Sequence, residues 1–176
     1  MGNDTPPPER TPATQFASQY ADGPATGWTI ETSTRSMAVL DVIRAVNGGT
    51  QLALRWALGG TMSESPYAAL VMPAGPALGG YDRVMFSARA SRPMRISVQV
   101  RVPAAGAGER WQRSVYLDET ARDVTVFVDD MTPRGETTQR RPLLSAVRDL
   151  LFVVDTVNTK PGTAGQIWID DVKYGR

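Results

Sequence analysis

The chain has 176 residues, 41% hydrophobic and 21% charged, with a net charge of +1 and neither cysteine nor histidine. That length suits one domain able to bury its own core, and the near-neutral charge offers no field for nucleic acid. Without Cys or His there is no disulfide, no thiol nucleophile, no imidazole base and no zinc site of the usual kind, which leaves paired carboxylates as the hydrolytic chemistry still open.

Residues 1–22 read as a linker. Pro6, Pro7, Pro8 and Pro12 stand among Thr5, Thr11 and Thr14, and proline, with φ fixed and no donor, favours an extended, solvated backbone. Disorder is the expectation here, with Phe16 and Tyr20 as the side chains able to dock the stretch on a domain spanning 23–176. The opening Met1-Gly2-Asn3-Asp4 has neither the basic start nor the apolar stretch of a secretion signal. It reads as lying downstream of a removed segment. No apolar run approaches the roughly 18 residues that span a bilayer, so membrane insertion is not expected.

From Trp28 onward, Gly- and Pro-containing breaks at 47–49, 59–60, 73–80, 91–93, 103–108, 133–135 and 160–165 separate short runs. The pattern predicts strands over 28–33, 38–46, 51–58, 68–72, 81–90, 94–101, 109–117, 124–128, 149–157 and 166–174. In the sixth, Met94, Ile96, Val98 and Val100 alternate without exception with Arg95, Ser97, Gln99 and Arg101. In the third, Leu52, Leu54, Trp56 and Leu58 share one face. The run 150–154 is continuously apolar and predicts a central strand buried on both faces. Only 143–148 suggests a helical turn. Ten short strands without a convincing helix predict an all-β sandwich or barrel, with Trp56, Val98, Val126, Phe152 and Ile169 in its core.

Three stretches carry a family likeness: the run 78–90 with its hairpin into 95–101, the segment Phe152-Val153-Val154-Asp155, and the closing Ile167-Trp168-Ile169-Asp170-Asp171-Val172. On these the chain resembles carbohydrate-binding modules of the bacterial galactose-binding-like superfamily. It is most similar to family 11 modules and to domains of the complex I intermediate-associated protein family. The resemblance implies a two-sheet antiparallel β-sandwich of the jelly-roll kind, often a structural calcium ion, and a glycan cleft on the concave sheet. A non-catalytic binding domain in the extracellular or periplasmic space is the expectation. A protein-interaction or assembly domain with a surface protein as partner is the rival on the same fold.

The candidate ligand-binding residues are Arg55, Arg95, Gln99, Arg101, Trp111, Arg113 and Tyr116. Sugars need planar surfaces for their C–H faces and polar forks for vicinal hydroxyls, and Arg, Gln, Trp and Tyr supply both. A solvated sheet face, with arginine stems lying on apolar surface, explains the same pattern. An arginine-rich face would also suit a sugar acid. For calcium, Glu31 in the first strand and Asp170 or Asp171 in the last are the candidate ligands, if the terminal strands adjoin. Acids that cap strand ends explain those as well. The doublets Asp118-Glu119, Asp129-Asp130 and Asp170-Asp171 point to opposite faces of a strand and make no facing acid and base.

Overall fold

The computed structural model describes residues 10–18, 27–44, 50–73, 79–103, 109–135, 137 and 139–176. Two six-stranded antiparallel sheets face each other. The first runs β3 (Met37–Arg44), β4 (Thr50–Ala57), β12 (Ala164–Gly175), β6 (Arg83–Ala90) and β9 (Arg122–Phe127), with β1 (Phe16–Ser18) beside the end of β12. The second runs β10 (Thr132–Arg134), β8 (Glu109–Leu117), β7 (Met94–Val102), β11 (Asp149–Asp155), β5 (Tyr67–Pro73) and β2 (Thr29–Thr32). All ten predicted strands occur, shifted by a residue or two at most ends. The tail of the second prediction, 45–46, lies outside the described residues, as do the breaks at 47–49 and 104–108. Among the described residues helix is confined to single 3-10 turns at Met62–Glu64, Val128–Asp130 and Leu144–Ala146 and to the 3-10 residues 79–80. The first two were not anticipated.

Period-two alternation builds the core. Leu52, Leu54 and Trp56 of β4, Phe86 and Ala88 of β6, and Ile167 and Ile169 of β12 point inward from the first sheet. They meet Leu70 of β5, Ile96, Val98 and Val100 of β7, and Leu150, Phe152 and Val154 of β11. Phe86 meets Phe152 edge-on, with ring centres 4.9 Å apart. All five core residues named from the sequence are buried. β11, the run expected to be buried on both faces, is buried at every position.

The doublet Asp170-Asp171 is a β-bulge. The register between β12 and β6 slips between Asp170 and Lys173, and Asp171 takes a positive φ of 51°. Core parity therefore switches from odd (Ile167, Ile169) to even (Val172, Tyr174), and both acids stay out of the core. An extra residue that bends a strand and re-aims its side chains is what a bulge supplies, and Asp tolerates the left-handed region better than most residues.

The linker reading of 1–22 needs correction. Residues 10–18 dock on the first sheet, and Phe16 pairs with Gly175 in β1–β12. Arg10 grips Asp130 through two hydrogen bonds, of 3.0 and 2.8 Å, and lies over the Phe127 ring at 3.8 Å. Arg83 donates to the Thr11 carbonyl at 2.9 Å. Docking through Phe16 was open in the sequence, but not the strand it would join, because a lone strand carries no signal of the edge it pairs with. Residues 1–9 and 19–22, including Tyr20, lie outside the described residues.

Candidate functional site

The second sheet turns one face to the core and the other outward. On the outer face β7 contributes Arg95, Ser97, Gln99 and Arg101, and β8 contributes Arg110, Gln112, Ser114 and Tyr116. Their neighbours are Asp149, Leu151 and Val153 of β11, Val71 and Ala69 of β5, and Glu31 of β2. Two ion pairs give this face its shape. Arg101 Nη2 lies 3.1 Å from Glu31 Oε2, and Arg134 Nη1 lies 3.0 Å from Asp155 Oδ2. In each pair the strands are three places apart in the sheet. That is about 14 Å of backbone separation in a flat sheet, a span bridged by long arginine side chains lying across the face.

Beneath the Arg101–Glu31 bridge sit Ala69, Val71, Leu151 and Val153, a second apolar cluster that is buried although it faces outward. Arginine stems lying flat over a sheet provide such cover. Glu31 also accepts from the Tyr67 hydroxyl at 3.0 Å, and Arg110 stands 3.7 Å away. Burial pushes the Glu31 carboxyl upward. The hydrogen bonds from Arg101 and Tyr67 and the charges of Arg101 and Arg110 outweigh it, leaving the group below the ordinary carboxylate range. Burial, then the hydrogen bond to Glu31 and its charge, push the Tyr67 phenol up. Arg101 Nε lies 3.1 Å from Asp149 Oδ2, but out of line for a hydrogen bond, so that contact is ionic only.

Beside this bridge the face opens into a trough of about 210 Å³ bordered by Ser97, Gln112, Arg113, Ser114, Thr132, Val157 and Asn158. A directed ladder leads into it. Gln99 Nε2 donates to Ser97 Oγ at 3.2 Å, and Ser97 Oγ donates to Gln112 Oε1 at 3.3 Å. The Gln112 carbonyl is thus used inside the ladder, and the Gln112 amide N–H groups form its free end. Arg95 Nε donates to Ser114 Oγ at 2.8 Å and leaves that hydroxyl a proton to give. Tyr116, two residues further along β8 and 47% exposed, stands beyond the trough on the same face.

The sequence-derived site residues divide. Arg95, Arg113 and Tyr116 lie in or beside the trough. Arg101 is on the same face but engaged by Glu31 and Asp149, and Gln99, 0% exposed, acts as the ladder's buried base with Oε1 unpartnered. Trp111 has the opposite parity and is 1% exposed, a core residue with no ring face to offer. Arg55 is on the outer face of the other sheet, paired with Asp41 at 3.4 Å. Sequence reasoning did not choose Gln112 or Ser114 and passed over Thr132, Val157 and Asn158. Thr132 is on an unpredicted strand, and Asn158 is in a turn whose fold-back leaves no local signal.

The proposed calcium ligands are not together. Glu31 is on the outer face of the second sheet, while Asp170 and Asp171 sit at the bulge of the first, with the whole sandwich between them. These three cannot share an ion. Among the described residues no three acidic side chains cluster as a metal site. The other acidic doublets serve loops: Asp118 accepts from the Thr120 amide and pairs with Arg122, Asp129 pairs with Arg141, and Asp130 holds Arg10.

Comparison with solved structures places this architecture. The family 11 carbohydrate-binding module of the cellulosomal cellulase Lic26A-Cel5E of Clostridium thermocellum superposes with a TM-score of 0.69 at 11% identity, over 92% of this chain and 94% of that one. The chain has the jelly-roll fold of carbohydrate-binding modules. A family 11 module from C. thermocellum, solved in complex with a β-1,3-1,4-mixed-linked tetrasaccharide, gives 0.65 at 10% identity, over 90% and 93%. The family 30 module of the cellulosomal cellulase Cel9D-Cel44B of C. thermocellum gives 0.64 at 11% identity, over 92% and 97%. No protein-family model and no curated protein sequence matches the chain. No helix among the described residues is long and apolar enough to cross a membrane.

Proposed function

We propose that this domain is a non-catalytic accessory module that binds an oligo- or polysaccharide along the outer face of its second sheet, outside the cytoplasm. The observation carrying the reading is the hydrogen-bond ladder that ends on Gln112 at the floor of an open trough. Sugar hydroxyls both donate and accept. The Gln112 amide, the hydroxyls of Ser97, Ser114 and Thr132, and the Asn158 side chain offer both functions within one groove. The trough is smaller than the roughly 300–1,000 Å³ of an enclosed small-molecule pocket. An open groove of that size suits a chain passing across the sheet, with Tyr116 placed to stack on a neighbouring sugar ring. The likeness to modules of cellulosomal cellulases supports the same direction.

Affinity gel electrophoresis against mixed-linked β-glucan, other neutral glucans and a polyuronate, run with calcium and with a chelator, tests this. Retardation by at least one polysaccharide is expected, with loss in Gln112→Ala while circular dichroism stays unchanged. Free migration in every gel would end the glycan reading, and retained binding in Gln112→Ala would move the site elsewhere.

A further inference from the structure

The edge strands of the two sheets are not alike, and β1 is only three residues long. β10 is three residues long and contains Pro133 and Arg134; β2 is four residues long and carries Glu31; β9 begins with Arg122-Asp123. Short edges, proline and charge are the devices that keep edge strands from pairing with other chains. β3, the remaining edge, has eight residues, Met-Ala-Val-Leu-Asp-Val-Ile-Arg, with neither Pro nor Lys. Among the described residues β4 is its one strand partner. Met37, Val39, Val42 and Ile43 of this strand are between 42% and 68% exposed, four of the ten exposed large hydrophobics among the described residues.

We propose that β3 is a self-association edge, on which two copies of this chain pair antiparallel about a two-fold axis and join their first sheets into one. The register can be derived. Residues directly opposite in an antiparallel pair point to the same face, so the two residue numbers must sum to an even value. A sum of 82 sets Asp41 against its own copy, like charge on like charge. A sum of 78 leaves Ile43 without a partner. A sum of 80 places Leu40 opposite Leu40, Ala38 opposite Val42, Met37 opposite Ile43 and Val39 opposite Asp41. In that register each of the four exposed apolar side chains faces a side chain of the other copy.

Charge also matches. Arg55 lies directly across from Val39 and already pairs with Asp41 of its own chain at 3.4 Å. With a sum of 80 the Asp41 of the second copy falls in the same row, on the far side of Val39. Each carboxylate then has two guanidinium neighbours, and neither is left unpaired. A two-fold contact of this kind is closed and stops at a dimer.

The native chain has no cysteine, so a single introduced one reports register directly. Opposite Cα atoms are about 4.5–5.5 Å apart, inside the range of roughly 4.4–6.8 Å that a disulfide bridges. Leu40→Cys is therefore expected to give a covalent dimer under mild oxidation. Val42→Cys is expected to stay single, because its own copy lies four residues, about 13 Å, along the strand. Sedimentation velocity of the native protein into the submillimolar range is expected to show a concentration-dependent dimer, and Val42→Lys to abolish it with little change in melting temperature. A native protein that remains monomeric throughout overturns the proposal. So does a dimer that survives Val42→Lys, or cross-linking of Val42→Cys as efficient as that of Leu40→Cys.

Discussion

Arg101 Nη2 and Glu31 Oε2 lie 3.1 Å apart although β11 and β5 separate their strands. The contact ties the edge strand β2 to the interior of the second sheet across its outer face, above Leu151, Val153, Val71 and Ala69. It also fixes where that face is closed and where it is open. The bridge side is filled by paired charge, and the trough side is bordered by the uncharged polar groups of Ser97, Gln112, Ser114 and Thr132.

Glu31→Gln keeps the shape but removes the charge that Arg101, Arg110 and Tyr67 share. Arg101 retains Asp149, and about a third of the Glu31 side chain is exposed, so the loss is well below that of a deeply buried pair. A drop of roughly 1–2 kcal/mol in urea unfolding is expected. An unchanged midpoint would mean that the bridge contributes nothing.

The same group sets an acid limit. Its folded pKa is below the ordinary value of 4.5. Its contribution is therefore whole above about pH 4.5 and disappears as pH falls through the lower folded value. Tyr67 sets the opposite limit, because its folded pKa is above 10.0. The native contribution is whole below about pH 10 and is lost as pH rises through the folded value. Melting temperature measured from pH 3 to 7 should fall less steeply in Glu31→Gln than in the native chain. Parallel curves would contradict this.

Removing residues 1–9 is expected to leave the melting temperature unchanged. Removing 1–18 also takes away the Arg10–Asp130 pair, the Arg10–Phe127 contact and the β1–β12 pairing. These are partly exposed contacts, so a loss of roughly 1–2 kcal/mol is expected. Equal stability of the two truncations would show that the docked arm is passive.

Trp111 and Tyr116 belong to one strand and have opposite fates. Trp111→Ala empties a fully packed site and should cost about 3–5 kcal/mol. Tyr116→Ala, on the outer face, should change stability by less than about 0.5 kcal/mol while weakening glycan retardation. Denaturant midpoints for the pair test the face assignment. A Trp111→Ala variant of native stability would refute it.

Ten strands, and the alternation of faces within most of them, are legible in the chain alone. Alternation at Leu52-Leu54-Trp56 and at Ile96-Val98-Val100 is a local property of the pleat, and the continuous run 150–154 had to be covered on both sides. What alternation cannot carry is neighbourhood. Period two says that Arg55 and Arg101 both point away from a core, but only strand order sets them on opposite faces of the sandwich. It says that Trp111 and Gln112 point opposite ways, but not which of them meets the core. The bulge at Asp171 inverts parity within a single strand, and β1 and β10 are too short to have a period of their own. Strand order and ion pairs spanning three strands come from contacts distant in sequence, and those form only when the two sheets close on each other.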